Sequence, residues 1–398
     1  MRQARGSRRP RAHETALLWL LLLLAAAPAA WAQELPLKSK AAVLIEYQSG
    51  RVLYEHNAHT PLPLASVTKV MTLALALEAV RDGKASLDEL VTASEYAASM
   101  GGTQIWLEPG EKMPFGELLY ALAVGSANDA AVALAEHLAG SEPAFVEAMN
   151  AKAKSLGMVN TTFANPSGLP PESVGKPGPH AASAYDIAIL SRYSLGLPLF
   201  LEIVSTWGPV VMRSETIKQP VLWNYNRMLR TYPGMDGIKT GMTSEAGYCI
   251  AATAERDGVR LIVVTLGAPT GADRESDVRR LFDYGFSLLK SVPIAAKGEV
   301  VAEVEVLKGV RRTVELEAAA PLAVTLPKES QAEPATEVRL LRDLHAPVAA
   351  GETVGELVAF VDGEEAGRVP LVARSAVERA SALQLIARYF LQIVQIQG

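Results

Sequence analysis

Cysteine is almost absent from this sequence, since Cys249 is the only one among 398 residues. A single thiol cannot form an internal disulfide, so packing alone must hold the core together. Cys249 lies in the apolar stretch Gly247-Tyr248-Cys249-Ile250, which favours a buried structural thiol over a reactive one. The pair His56 and His59 lacks further ligands, so we expect no metal site. No phosphate-binding loop is present, and we expect no cofactor.

Positive charge is not in excess either. The formal net charge is −5 and no basic stripe runs along the chain, so nothing indicates a nucleic-acid partner. A hydrophobic fraction of 49% with 20% charged residues is typical of a globular protein and excludes general disorder. A length of 398 residues is sufficient for more than one domain.

The first 32 residues have the pattern of a secretory signal peptide. Several arginines precede an apolar run that starts at Ala16 and ends at Ala30-Trp31-Ala32, a small-x-small cleavage pattern. We therefore predict that residues 1–32 are removed and that the mature protein is exported to the periplasm or an equivalent extracytoplasmic space. An uncleaved membrane anchor is the alternative interpretation.

Residues 33–293 combine strand and helix patterns. Alternating residues around Ser49-Gly50 predict a β-hairpin, and apolar positions from Ser66 to Val80 are spaced for a helix with one buried face. More strands are predicted near the end of this region, two of them joined by an Asp257-Gly258 turn. Strands at both ends around a helical middle indicate an α+β domain with helices packed on an antiparallel sheet.

The rest of the chain divides into two parts. Short β-like runs separated by Gly, Pro and charged residues predict a small all-β domain over residues 294–374. Residues 375–398 predict an amphipathic tail helix with one narrow polar stripe, formed by Gln384, Arg388, Gln392 and Gln395. A spanning helix needs about 20 apolar residues, so we expect the tail to lie in the membrane interface. An oligomer-forming or docking helix is the alternative.

Ser66-Val67-Thr68-Lys69 is the first motif with catalytic potential. Positions i and i+3 of a helix share a face, so the Ser66 hydroxyl and the Lys69 amine can meet. The hydroxyl becomes a good nucleophile only when a base takes its proton. A lysine with the ordinary pKa of about 10.4 is protonated near neutrality. Burial or a second cation must therefore lower the pKa of Lys69 if it is the base.

Two further motifs follow in order. Ser126-Ala127-Asn128 interrupts a helical pattern, and Lys239-Thr240-Gly241 lies on a predicted strand. Ser126 can relay a proton to the leaving amine, and Asn128 can orient the substrate amide and the base. Lys239 supplies the second cation, and the absent side chain of Gly241 lets a substrate backbone lie against the strand edge.

With these motifs the sequence resembles the penicillin-binding proteins and serine β-lactamases. It is similar to the low-molecular-mass D-alanyl-D-alanine carboxypeptidases over essentially the whole mature chain. The similar segments are residues 53–58, 65–72, 126–130, 236–241 and 246–248. The resemblance implies a β-lactamase/transpeptidase-like catalytic domain, followed by the β-rich domain and amphipathic tail typical of those enzymes.

The resemblance also implies an activity. The enzyme would remove the terminal D-alanine from peptidoglycan stem peptides through a Ser66 acyl-enzyme, and penicillins would acylate the same serine. Lys69, Ser126, Asn128 and Lys239 would complete the catalytic set.

Substrate binding would fall to Thr240, Gly241, Met242 and Arg274. The backbone N–H groups of Ser66 and Met242 would hold the oxyanion. Met242 stands where relatives often have His, which bears on rate or pH preference rather than on mechanism. Arg274 would recognise the substrate carboxylate, and an ordinary surface position at the start of a helix is the alternative.

Three other functions are compatible with the sequence. A β-lactamase of class A would need a deacylating Glu between the second and third motifs, and Glu172 lies there without the usual neighbouring Leu-Asn. A D,D-endopeptidase acting on cross-links would use the same scaffold. A catalytically silent wall-binding scaffold would have no need of the intact motifs.

Overall fold

The computed structural model describes residues 35–176, 178–213 and 220–387. The chain divides into two units after Leu37, and every labelled helix and strand belongs to the second, which begins at Lys38. The predicted signal peptide lies outside the described residues.

Strands occupy both ends of the region before residue 289 and nearly all of the region after it. In chain order they are β1 (Ala41–Glu46), β2 (Val52–His56), β3 (Leu90–Thr92), β4 (Lys112–Pro114), β5 (Val210–Val211), β6 (Val221–Leu222), β7 (Met235–Thr243), β8 (Gly247–Arg256), β9 (Val259–Ala268), β10 (Leu289–Ala295), β11 (Val300–Leu307), β12 (Thr313–Ala318), β13 (Leu322–Pro327), β14 (Ala335–Leu340), β15 (Leu344–His345), β16 (Thr353–Val361) and β17 (Glu364–Ala373).

Helices fill the middle of the first region. They are α1 (Lys69–Arg81), α2 (Glu95–Ala98), α3 (Phe115–Ala123), α4 (Asn128–Ala139), α5 (Glu142–Ser155), α6 (Ala184–Leu195), α7 (Phe200–Ser205), α8 (Met228–Thr231) and α9 (Gly271–Leu288).

A five-stranded antiparallel sheet is the centre of the first region, with the order β2-β1-β9-β8-β7. β1 is buried along its whole length because helices cover both faces of the sheet. On one face α9 approaches closely, and a Cβ at Gly285 would come within 2.9 Å of the Leu44 side chain. On the other face Val43 and Val264 share a core with α1 and α3–α7.

The second region is built from β-strands with a core of its own. Strands β14-β16-β17-β12-β11-β15 form one sheet in that order, and β10 pairs with β13. Leu316, Ala359 and Leu371 lie at the centre of this second core. The Gln48 side chain donates a hydrogen bond of 3.1 Å to the Ala323 carbonyl and so links the two regions.

The predicted α+β architecture with an all-β second region is confirmed. The division at residue 293 stays a prediction, and β10 extends on both sides of it. The predicted helix beginning at Ser66 differs in detail, because residues Ala65–Thr68 form a 3-10 turn and α1 begins at Lys69. Ala65 has a φ of 49°, which an α-helix does not permit.

Only part of the predicted tail can be described. Val377 belongs to the second core, Ala380 is buried, and residues 382–387 are helical. The remainder, from Arg388 onward, lies outside the described residues. Within the described ranges, no helix has the length and apolar character needed to cross a membrane.

Candidate active site

Ser66 lies on the 3-10 turn that leads into α1, and β7 runs directly against this turn. A Cβ at Gly241 would stand 2.7 Å from the Leu64 carbonyl oxygen and 2.9 Å from the Ser66 nitrogen. No side chain fits there, so the glycine is required by the close approach of the Leu64 and Ser66 backbone. This close approach is a second reason for a glycine at position 241. The first reason, predicted from the sequence, is the room that it leaves for a substrate backbone.

Lys69 begins α1 one turn after Ser66 and is 1% exposed. Its Nζ lies 2.9 Å from Ser66 Oγ, 2.7 Å from Asn128 Oδ1 and 2.6 Å from the Ser167 carbonyl oxygen. The three oxygens come from the turn, from the start of α4 and from the loop after α5. The tertiary fold therefore assembles the surroundings of this amine.

The surroundings of Lys69 disfavour its charged form. Burial lowers its pKa well below the ordinary value, and the charge of Lys239 lowers it further, while Asp129 opposes the shift. Lys239 is itself buried, which together with the Arg274 charge lowers its pKa to about 7. A lysine that serves as a base needs burial or a second cation to lower its pKa, and Lys69 has both.

Ser126 and Asn128 are held by the break between α3 and α4. Ser126 adopts a positive φ of 57°, an uncommon conformation for a residue with a side chain. Its carbonyl accepts a hydrogen bond of 2.8 Å from Thr103 Oγ1. The Asn128 amide donates 2.7 Å to the Gly101 carbonyl, which turns its Oδ1 toward Lys69. The strained backbone thus aims both polar side chains into one site.

A cavity of about 330 Å³ opens above the nucleophile. Of the nine predicted site residues, those that line it are Ser66, Ser126, Asn128, Thr240, Gly241, Met242 and Arg274. The two others, Lys69 and Lys239, are buried beneath its wall. Lys239 Nζ lies 3.1 Å from the Thr240 carbonyl oxygen. The size is that of a small-ligand site.

Arg274 lies in the first turn of α9 and is only 8% exposed. Its Nε is buried without a hydrogen-bond partner among the described residues, and its guanidinium lies 5.9 Å from the centre of the Tyr248 ring. Buried donors are normally satisfied. A substrate carboxylate in the cavity would satisfy this one by a charge-assisted hydrogen bond. The alternative of an ordinary surface position does not fit this burial.

The edge of the sheet is open beside the cavity. Among the described residues β7 pairs only with β8, so its other edge carries backbone groups available to an extended peptide. The Met242 side chain is 58% exposed.

Sequence reasoning gave no functional role to the loop that follows α5 and includes residues 165–180. Its Ser167 carbonyl contacts Lys69, and Gly168 and Leu169 line the cavity. The sequence did contain one indication of this loop, the turn sequence Asn165-Pro166-Ser167-Gly168. In it Asn165 Oδ1 accepts hydrogen bonds from the N–H groups of Ser167 and Gly168. Tyr225, which also lines the cavity, had no signal in the sequence.

Cys249 is fully buried and free, as predicted for a structural thiol. Burial raises the pKa of its thiol to about 11, so it is not a reactive nucleophile. Within the described ranges, no group of three or more potential ligands could hold a metal ion.

Three features define a serine hydrolase of the penicillin-binding class. They are an antiparallel sheet with covered faces, a serine–lysine pair at the start of a central helix, and a neighbouring strand that carries Lys239. Comparisons with known proteins agree. The family described as D-alanyl-D-alanine carboxypeptidase matches residues 28–270, and the penicillin-binding protein 5 C-terminal domain matches residues 289–379.

Individual relatives give the same result. The chain is 39% identical to the D-alanyl-D-alanine carboxypeptidase DacF of Bacillus subtilis, over 94% of this chain and 96% of the relative. A solved structure of PBP3 from Streptococcus pneumoniae, a peptidoglycan synthesis regulatory factor, matches with a TM-score of 0.68 and 30% identity, covering 86% of this chain and 100% of that one. Penicillin binding protein 5 from Haemophilus influenzae matches with a TM-score of 0.62 and 31% identity, covering 87% and 99%.

The chain belongs to the D-alanyl-D-alanine carboxypeptidase family. It is accordingly a serine peptidase, and the resemblance drawn from the motifs is confirmed.

Proposed function

We propose that this enzyme removes the terminal D-alanine from peptidoglycan stem peptides, with Ser66 as nucleophile and Lys69 as its base. The observation that carries these roles is the arrangement around Lys69 Nζ. A neutral amine has two protons and one lone pair. The carbonyl oxygens of Asn128 and Ser167 can accept the two protons, which directs the lone pair at the Ser66 hydroxyl.

Acylation follows from this geometry. Lys69 takes the hydroxyl proton as Ser66 attacks the carbonyl carbon of the penultimate residue. The backbone N–H groups of Ser66 and Met242 would stabilise the developing oxyanion. Ser126 would pass a proton to the leaving amine, which departs as D-alanine. The same groups acting in reverse would activate the water that releases the shortened peptide.

Binding places the substrate for that attack. An extended peptide would pair with the open edge of β7 and receive orientation from the Asn128 side chain. The C-terminal carboxylate would meet Thr240 and Arg274, which line the cavity, while the buried Lys239 would add its charge from beneath the wall. Arg274 retains a free buried donor among the described residues. A terminal carboxylate is the feature that defines a carboxypeptidase substrate.

β-Lactams would acylate the same serine. A penicillin presents a strained amide and a carboxylate in the arrangement of the substrate, and a matching relative is named a penicillin binding protein. Rapid release of the drug would require a deacylating carboxylate. Glu172 is exposed and lines a separate cavity of about 290 Å³ rather than the one with Ser66, which favours the peptidase over a β-lactamase.

The enzyme would work outside the cytoplasm at the membrane surface. Residues 1–32 have the export pattern, and peptidoglycan lies outside the cytoplasmic membrane. The tail is proposed to attach the enzyme to that membrane peripherally. Its described turn supports this, because Leu383 and Ile386 are 82% and 58% exposed and stand on one helix face at i and i+3.

One experiment tests the proposed roles. Purified protein is incubated with a fluorescent penicillin and, separately, with a pentapeptide ending in D-Ala-D-Ala. We expect stable labelling and release of D-alanine, both abolished in Ser66→Ala and both retained in Ser287→Ala, which changes an exposed serine. Labelling that persists in Ser66→Ala would show another nucleophile, and rapid loss of the label would indicate a β-lactamase.

A further inference from the structure

The loop after α5 contacts the nucleophile turn without spare room. The Thr72 hydroxyl donates a hydrogen bond of 2.7 Å to the Pro166 carbonyl, and the Ser167 carbonyl accepts one of 2.6 Å from Lys69. A Cβ at Gly168 would lie 1.9 Å from the Ala65 carbonyl oxygen. The position of this loop therefore determines where one of the three oxygens around Lys69 lies.

His180 connects the end of that loop to the helix that carries Lys69. The ring is 9% exposed, with Nε2 2.7 Å from Thr68 Oγ1 and Nδ1 3.0 Å from the Ala164 nitrogen. A backbone N–H can only donate, so Nδ1 must accept and carries no proton. The neutral ring then has its proton on Nε2 and donates it to the Thr68 hydroxyl.

The surroundings keep the ring in this neutral state. Burial, aided by the charge of Lys69, lowers the pKa of His180 to about 4. The ring also packs edge-on against Phe163, with centroids 5.9 Å apart. At neutral pH one fixed tautomer therefore joins Ala164, which directly precedes Asn165 in the loop, to Thr68, the residue preceding Lys69.

We propose that His180 is a positioning residue for acylation: by bridging Ala164 and Thr68 it holds the Ser167 carbonyl against Lys69. The inference rests on the proposed role of Lys69 as base. His180 does not line the cavity of Ser66, so it acts through the loop and not by touching substrate. Misplacement of a catalytic group by about 1 Å can reduce a rate on the order of 100-fold.

Two substitutions at position 180 distinguish the contact of His180 with Thr68 from its contact with Ala164, which lies within the loop itself. His180→Gln places an amide nitrogen near the former Nε2 and can still donate to Thr68. His180→Asn places an amide oxygen near the former Nδ1 and can still accept from Ala164. His180→Gln loses only the contact with Ala164 inside the loop and keeps the link to Thr68, so we expect its penicillin acylation rate constant to fall by less than about fivefold. His180→Asn should fall by about 10- to 100-fold in the acylation rate constant, with the non-covalent affinity changed less than about twofold.

Thr68 tests the bridge from its other end. Thr68→Ser keeps the hydroxyl and Thr68→Val removes it at nearly equal volume. We expect Thr68→Val to acylate about 10- to 100-fold more slowly than Thr68→Ser. Combined with His180→Asn, it should add little further loss, since both variants break one interaction.

The outcomes are distinct. The inference would be overturned if His180→Asn were acylated faster than His180→Gln, or if all variants were acylated at the wild-type rate. Equal acylation rates for Thr68→Ser and Thr68→Val would also overturn it. His137→Gln is the matched control, because that histidine bonds Glu89 far from the loop. Thermal unfolding of each variant, measured in parallel, must show a folded protein at the assay temperature. A wild-type protein not labelled at Ser66 would instead refute the proposed function.

Discussion

Three basic side chains, Arg274, Lys239 and Lys69, lead from the cavity wall to Ser66. The positive charge of each one affects the pKa of the next. Arg274 lowers the pKa of Lys239, and Lys239 lowers the pKa of Lys69. Burial is the larger cause in both cases. Clustering cations costs stability, but it yields a neutral lysine beside Ser66 at moderate pH.

Removal of the middle cation should move the pH dependence of acylation. Without the Lys239 charge, the pKa of Lys69 rises toward its ordinary value, so less of the amine is neutral at a given pH. We expect Lys239→Gln to shift the acidic limb of the penicillin acylation rate to higher pH, in addition to lowering the rate. Stopped-flow labelling between about pH 5 and 10 measures both effects.

Lys297→Gln is the control for Lys239→Gln, since it removes an exposed cation from the second region. Lys297→Gln should leave the acidic limb of the acylation rate at the same pH as in wild type. A limb that stays in place in Lys239→Gln, or moves to lower pH, would contradict the assigned electrostatic role.

At the scale of elements, the site depends on how closely β7 approaches the turn of Ser66. We expect Gly241→Ala to lower the acylation rate by at least about 100-fold, because the new methyl group would meet the Ser66 nitrogen at 2.9 Å. Overpacking should also cost about 1–3 kcal/mol of unfolding free energy. Acylation kinetics and thermal unfolding measure the two effects separately.

Gly196→Ala gives the matched control for an added methyl group. Gly196 is exposed with a φ of −83°, and its Cβ would meet only the Tyr193 carbonyl oxygen, at 3.4 Å. It should acylate at the wild-type rate. Wild-type kinetics in Gly241→Ala would show that the strand has room and that this account of the glycine is wrong.

The sequence predicted the elements of the site better than their contacts. The helix after Ser66, the break at Ser126 and the strand of Lys239 all follow from local patterns of apolar and turn residues. The positive φ of Ala65 leaves no such pattern. The contact of Lys69 with Ser167 joins residues 98 positions apart through a backbone carbonyl, which any residue type could supply. Motif order could therefore predict which side chains come together at the cavity, but not the backbone groups that contact them.

At the scale of the whole molecule, the second region has its own core, and none of its described residues lines the cavity of Ser66. Catalysis on a small soluble peptide should therefore be independent of how the enzyme is attached to a surface. The tail prediction can be tested on that basis. The cut must follow Ser381, because Val377 and Ala380 are 1% and 6% exposed and belong to the folded region.

Deletion of residues 382–398 should release the processed enzyme from membranes into the soluble fraction, while kcat/KM on a D-Ala-D-Ala peptide stays within about twofold of wild type. The double variant Leu383→Glu, Ile386→Glu keeps the full length of the chain and is the matched comparison for the deletion. It places two charges on the exposed apolar face of the tail, so it should also release the protein. The measurements are membrane fractionation at low and high salt and peptide turnover. Full membrane retention of the deletion variant, with its signal peptide removed, would show that the tail is not the anchor and would favour the docking or oligomer-forming helix.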